Sequence, residues 1–306
     1  RPPSAFVSVA EIGAALAKGD ATEHTHRPAL KALIESCGNK IVATNEPKRI
    51  ACGAPDFAVS SKDLTVGYIE AKDVGVSLDE ALRSDQLKRY IKSLDNLILT
   101  DYLEFRWFTE GEQRLTAKLA DIQSKGKLNK TKDGHSDLEK LLTGFLDRKL
   151  QSISSPRELA ERMARLTHLI RDIIIAAFEN DQASDWIRGW RKAFTEVLIA
   201  DLDQPKRTSD FADMFAQTLS YGLFTARVMD DTQKDFSRAE AQRLIPRSNP
   251  FLRNFFMDIS NPRVDEEPFS SFVNDLVNLL GHTDMAAVLA DFGRRTRQED
   301  PVVHFY

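Results

Sequence analysis

The sequence has few cysteines, no long hydrophobic run and no signal-peptide pattern. Only two of its 306 residues are cysteines, and Cys37 and Cys52 lack metal-ligand spacing, which argues against a disulfide framework or a thiolate metal site. Arg171 and Asp172 interrupt the most apolar stretch, which therefore falls short of the roughly 20 residues needed to cross a bilayer. Together these absences predict a cytoplasmic protein that does not contact a membrane.

The composition indicates an ordinary globular chain. Its 306 residues are 42% hydrophobic and 29% charged, which is enough material for two domains. The formal net charge of -4 argues against a generally basic nucleic-acid binder. It is still compatible with a protein whose positive residues are confined to one groove.

Acidic residues lie in two neighbouring strand-like segments, residues 53–59 and 64–72. The first contains Asp56 and the second ends in Glu70, Ala71 and Lys72. Because side chains alternate along a strand, Glu70 and Lys72 project from one face while Ala71 points away. A short turn between the segments predicts an antiparallel pair, which would bring Asp56 beside Glu70.

This combination of residues suits a hard divalent cation. The carboxylates of Asp56 and Glu70 and the carbonyl of Ala71 are oxygen ligands of the kind that Mg²⁺ prefers, with Mn²⁺ as the alternative. Lys72 would stand beside the attacking water. The pattern predicts metal-assisted hydrolysis of a phosphodiester bond, in which positive charge stabilises the developing charge on phosphate.

Either short motif alone is weak evidence, because Pro-Asp pairs mark turns and Glu-x-Lys pairs are common on exposed strands. A third element strengthens the case. Ser77 and Glu80 have capping-box spacing, and the helical pattern that follows contains Gln86 and Tyr90. Four residues apart, this amide and phenol share one helix face, where they could reach a phosphate or orient Lys72.

In this order, the elements resemble the PD-(D/E)XK nuclease superfamily, and the Gln-x-x-x-Tyr pair resembles the variant of RecB-like nucleases and many restriction enzymes. The resemblance implies a further acid from a helix before the first catalytic strand. Glu23 occupies that position. The implied catalytic set is Asp56, Glu70, Lys72, Gln86, Tyr90 and Glu23, with Asp56, Glu70 and Ala71 as metal ligands.

Residues 22–35, 67–90 and 96–108 are similar to the amino-terminal region of fused restriction-modification enzymes, in which a nuclease precedes an adenine-specific DNA methyltransferase. Residues 211–227 are similar to the helical connector of those enzymes. The resemblance implies a type II restriction-like endonuclease that acts on double-stranded DNA in phage defence. It places the methyltransferase, the target-recognition region and S-adenosylmethionine downstream of Tyr306.

The order of elements predicts a restriction-endonuclease-like α/β/α sandwich with a short mixed sheet, followed by an all-α domain. We assign residues 1–122 to the nuclease domain, the lysine-rich residues 123–136 to a linker, and residues 137–306 to the helical connector. Asn249-Pro-Phe251 lacks the cofactor loop of a methyltransferase, so we assign no such activity. Trp186 and Trp190 are interpreted as core or interface anchors.

Two other functions remain open. A catalytically silent DNA-binding or scaffolding module would keep the fold without cleavage, although such a module has no need for two acids beside a lysine. A RecB-like repair exonuclease would share the site but not the connector resemblance. Cutting of closed circular DNA would separate an endonuclease from an enzyme that requires ends.

Overall fold

The computed structural model describes residues 23–45, 54–61, 64–123, 127–147, 153–230, 236–246 and 248–295. The chain divides into two compact units: of the described residues, 23–45 and 55–147 belong to the first, and Ala54 and the residues from Ile153 onward belong to the second. The first contains a mixed β-sheet with helices, and the described part of the second is helical, as the sequence predicts. Each unit is described by itself below.

A six-stranded sheet forms the centre of the first unit, with its strands arranged in chain order. The β3 and β4 strands are parallel, and the other neighbouring pairs are antiparallel. The strands are β1 (Ile41–Asn45), β2 (Phe57–Ser61), β3 (Leu64–Ala71), β4 (Asn96–Thr100), β5 (Glu104–Thr109) and β6 (Glu112–Lys118). The predicted antiparallel pairing of the two acidic segments is therefore confirmed.

Helices cover both faces of this sheet. One face packs in a single buried core with α1 (Glu23–Ser36) and α4 (Gly134–Leu146). Every residue of β4 is buried, which requires cover on the opposite face as well. That face carries Glu70 and receives Tyr90, whose hydroxyl feels the Glu70 charge. The predicted α/β fold is confirmed.

The α1 helix contains a proline. It begins at Glu23 and holds Pro28 in its interior, where proline removes one intrahelical hydrogen bond. Burial of Leu30, Leu33 and Ile34 in the sheet core offsets that loss.

Two short helices replace the single one expected after Ser77. Ser77 caps α2 (Leu78–Ala81) by accepting the Glu80 N–H at 3.3 Å. Ser84 then caps a separate helix, α3 (Asp85–Ser93), by accepting the Leu87 N–H at 3.3 Å. Because each serine satisfies an otherwise unpaired N–H group, the chain can stop and restart its helix here.

The predicted domain boundary differs from the structure. Part of the expected linker forms β8 (Leu128–Lys130), which pairs with β7 (Ala120–Ile122). The α4 helix belongs to the first unit rather than to the helical one. The strand β6 was not predicted, because its mostly exposed residues show no apolar alternation.

Asn96 explains why α4 stays with the sheet. Its side-chain amide donates to the carbonyls of Val66 at 2.7 Å and Phe145 at 2.9 Å. Its side-chain oxygen accepts the indole N–H of Trp107 at 2.7 Å. One buried amide thus joins β3, β4, β5 and the end of α4, so the first unit extends past the predicted linker.

We expect Asn96→Ala to destabilise the first unit by about 2–4 kcal/mol, because it removes three hydrogen bonds, one of them buried and two partly buried. Urea unfolding measures the change. Asn129→Ala is the matched control, since Asn129 is exposed on β8, and it should change stability by less than about 0.5 kcal/mol. Equal stabilities for the two variants would contradict the assigned role of Asn96.

The second unit confirms the predicted helical organisation in the part that is described. Ser155 caps its first helix and Pro156 occupies the first turn. The helices are α5 (Pro156–Glu179), α6 (Asp185–Val197), α7 (Thr208–Val228), α8 (Arg238–Leu244), α9 (Pro250–Ile259), α10 (Ser270–Gly281) and α11 (Met285–Arg295). None of the helices in the described ranges is long and apolar enough to cross a bilayer.

Aromatic rings fill the core of the helical unit. Trp190 packs edge-on against Phe255, with ring centroids 4.9 Å apart, and Trp186 packs edge-on against Phe215 at 6.1 Å. Edge-to-face contacts of this kind add stability beyond simple burial. Trp190 is buried, which confirms its interpretation as a core anchor, whereas Trp186 is half-buried and packs at the edge of that core.

Asn249 has a structural role. Its side chain accepts the Leu252 N–H at 3.0 Å and so caps α9, with Pro250 in the first turn. Asparagine followed by proline is a common start of a helix. The Asn-Pro-Phe segment is therefore explained without a methyltransferase site.

Candidate active site

Asp56 and Ala71 are joined where β2 begins and β3 ends. The backbone N–H of Ala71 donates to the Asp56 Oδ2 atom at 2.8 Å. Phe57 pairs with Ile69 in the sheet, so Asp56, one residue earlier, comes level with Glu70. The antiparallel register thus brings together the two acids that the sequence pattern singled out.

Glu70 and Lys72 lie on the same face of β3, as their spacing predicted. The Lys72 Nζ atom is 2.6 Å from the Glu70 Oε1 atom. The backbone N–H of Lys72 bonds to the Thr100 carbonyl at 2.8 Å, which continues the parallel pairing with β4 past the end of β3. The lysine is therefore held at both its backbone and its side chain.

Burial is the main cause of the shifted pKa of Glu70, whose exposed fraction is 4%. Desolvation, followed by the negative charge of Asp56, raises the pKa of Glu70 to about 7, and Lys72 opposes the shift. In the described residues the Glu70 Oε2 atom has no hydrogen-bond partner. An unpaired, desolvated carboxylate oxygen is costly unless a proton or a cation compensates it.

Gln86 and Tyr90 meet on one face of α3, as their spacing predicted. The Gln86 amide donates to the Tyr90 hydroxyl at 3.0 Å. Burial, and then the Glu70 charge, raise the pKa of Tyr90, while the bond from Gln86 acts in the opposite direction. Tyr90 is thus a neutral phenol next to the acids, and Gln86 contacts it directly.

Arg27 is a site residue that the sequence interpretation missed. Its guanidinium forms an ion pair with the Asp56 Oδ1 atom and a hydrogen bond to the Tyr102 hydroxyl. The only signal in the sequence was its place on α1, one helical turn after Glu23. Glu23 begins α1, but its side chain lies outside what the structure describes, so its predicted role is still a prediction.

The donor set fits a hard divalent cation. Two carboxylates lie side by side, and one of them presents an unpaired buried oxygen. Hard cations such as Mg²⁺ take oxygen ligands, including backbone carbonyls like that of Ala71. The described residues contain no cluster of three histidine, cysteine or acidic side chains that would form a complete metal site. Backbone or water oxygens would have to complete the coordination.

Comparison with known proteins gives little further information. No protein-family model and no curated protein matches the chain. One similar solved structure is a cryo-EM structure of a DrdV–DNA complex, with 19% sequence identity and a TM-score of 0.35. The match covers 86% of this chain and 25% of the other. A similarity of this size carries no weight for fold or function.

Proposed function

We propose that the first unit hydrolyses phosphodiester bonds in DNA with the help of Mg²⁺. The observation that carries the proposal is the convergence of Asp56, Glu70 and Lys72 at the ends of two paired strands, with an unpaired carboxylate oxygen on Glu70. A buried acid whose pKa is shifted by desolvation and by a specific charged neighbour is a feature of functional sites. Glu70 is such an acid, with Asp56 as the neighbour that raises its pKa.

Each residue has a chemical task in this proposal. The carboxylates of Asp56 and Glu70 and the carbonyl of Ala71 would hold the cation, which would supply Lewis acidity and lower the pKa of a bound water. The Lys72 ammonium, 2.6 Å from Glu70, is placed to stabilise negative charge on the phosphate. The Tyr90 hydroxyl, which accepts a hydrogen bond from Gln86, would donate a hydrogen bond to the same phosphate. Glu23 completes the proposed set from α1.

The wider biological setting is also part of the proposal. The resemblance to fused restriction-modification enzymes supports a type II restriction-like endonuclease acting on double-stranded DNA in the cytoplasm, in phage defence. The helical unit would serve as the connector to a downstream methyltransferase and target-recognition region. S-adenosylmethionine would bind there and not to the residues described above.

One observation favours a second candidate, a catalytically silent DNA-binding or scaffolding module. Arg27 already neutralises Asp56, and Lys72 contacts Glu70, so both acids have a cation without any metal. A charge-balanced site of this kind can be purely structural. The unpaired Glu70 oxygen favours the nuclease.

Supercoiled plasmid tests the proposal directly. The wild-type chain should nick closed circular DNA with Mg²⁺ or Mn²⁺, and Asp56→Ala should abolish both nicking and calorimetric metal binding, because it removes a ligand. Asp137→Ala is the control, since Asp137 is half-buried outside the site and pairs with Lys140 on the same helix. Cutting of linear DNA alone would indicate the RecB-like exonuclease. The absence of both cleavage and metal binding would support the scaffold.

A further inference from the structure

Arg27 brings a positive charge into direct contact with one of the two acids. Its guanidinium pairs with the Asp56 Oδ1 atom, and the side chains of Arg27 and Asp56 are 12% and 15% exposed. Limited solvent access strengthens such a pair relative to one on the surface. The other oxygen of Asp56 accepts the Ala71 N–H at 2.8 Å. Both oxygens of the carboxylate are therefore engaged by the protein.

A second set of contacts fixes Arg27 in place. The Tyr102 hydroxyl shares a hydrogen bond with the guanidinium, and the Tyr102 ring packs against His26 at a centroid distance of 5.3 Å. Tyr102 has a φ of 69°, in the left-handed region that non-glycine residues rarely adopt. Asp101 supports this turn by accepting the Leu103 and Glu104 N–H groups at 3.1 Å and 2.7 Å.

A divalent cation and the Arg27 guanidinium would compete for the Asp56 carboxylate. Like charges in a partly buried site repel strongly, and the metal ligand set proposed above includes this carboxylate. Each of the two carboxylates already pairs with a cationic side chain of the protein, Asp56 with Arg27 and Glu70 with Lys72. Adding a doubly charged ion must therefore weaken at least one of these pairs.

We propose that Arg27 is the resident cation of the metal-free site. It acts as a positioning residue that holds the Asp56 carboxylate at the end of β3 and gives up the Oδ1 atom when the divalent cation binds. Tyr102 receives and orients the guanidinium. This inference rests on the proposed metal-dependent function, and it adds that metal affinity is limited by competition with this chain's own arginine.

The test is calorimetric titration of Mn²⁺ and Mg²⁺ into the wild-type chain and its variants. Arg27→Gln removes the competing charge and should bind the metal about 10-fold more tightly, while melting at a lower temperature without metal. Arg27→Lys keeps the charge and should restore affinity to within about 3-fold of wild type. Lys31→Gln is the control, because Lys31 is more exposed and pairs with Glu35 on the same helix.

Tyr102→Phe provides a second route if Arg27→Gln fails to fold. It removes only the hydroxyl that orients the guanidinium, so metal affinity should rise by about 2-fold or more. Unchanged or weaker affinity in Arg27→Gln, or in Tyr102→Phe if it alone folds, overturns the inference. If such a variant still cleaves plasmid, the proposed function stands. Metal binding gained only in Arg27→Gln supports the inference, whereas no metal binding and no cleavage in any variant overturns both.

Discussion

Lys72→Ala should reduce plasmid cleavage by about 1000-fold while leaving the fold intact. The ammonium lies 2.6 Å from Glu70 at the end of β3, where it can stabilise charge on phosphate and water. Truncation to alanine removes that charge, and we expect the fold to persist because the Lys72 side chain is partly exposed. Initial rates of supercoiled plasmid nicking, with circular dichroism of each variant, measure the effect.

The assay requires a suitable pH and a matched control. Lys72 opposes the rise in the pKa of Glu70, so its removal favours protonation of that carboxyl group. Rates measured from about pH 7 to about pH 9 for wild type and Lys72→Ala separate loss of the lysine from protonation of the acid. Lys88→Ala should cleave normally, since Lys88 is largely exposed and pairs with Asp85. A Lys72→Ala rate within 3-fold of wild type would remove this lysine from the mechanism.

Glu70→Gln should have opposite effects on stability and metal binding. Burial raises the pKa of Glu70 to about 7 from its ordinary 4.5, so the folded chain binds this proton more tightly than the unfolded chain. The associated stability is fully present below pH 4.5 and is lost as the pH rises through about 7. Glutamine stays neutral, so at pH 8 without metal the variant should be about 1–3 kcal/mol more stable than wild type.

Mg²⁺ should reverse the order of stability, so that wild type becomes more stable than Glu70→Gln. On the proposed function, the cation would compensate the ionised Glu70 and so stabilise wild type by mass action, whereas Glu70→Gln lacks one of the proposed carboxylate ligands and should show little gain. Urea unfolding at pH 5 and pH 8, with and without Mg²⁺, gives the four values needed. Glu112→Gln is the control, because Glu112 is exposed on β6. Parallel pH profiles for wild type and Glu70→Gln would contradict this account of Glu70.

The local part of the site was predictable from sequence. Strand periodicity placed Glu70 and Lys72 on one face, and helical spacing brought Gln86 to Tyr90, because both patterns depend only on backbone geometry. The antiparallel pairing that brings Asp56 level with Glu70 followed from a short turn between two strands.

Long-range contacts were not predictable in this way. The pair between Arg27 and Asp56 depends on how α1 packs on the sheet, and no local pattern encodes that packing. The raised pKa of Glu70 is a consequence of burial rather than of its neighbours in sequence. We predicted the domain boundary too early in the chain, because the hydrogen bond from Asn96 to the Phe145 carbonyl joins residues on either side of the lysine-rich segment. Exposed β6 lacked the apolar alternation that identifies a half-buried strand.

The positions of the tryptophans have an optical consequence. The chain contains three: Trp107 lies in the sheet unit, while Trp186 and Trp190 lie in the helical unit. Intrinsic fluorescence therefore combines one emitter from the first unit with two from the second. Trp107→Phe would remove the tryptophan fluorescence of the first unit, and a double Trp186→Phe, Trp190→Phe variant would remove that of the second. Comparing their denaturation curves would show whether the two units lose structure in one transition or in two.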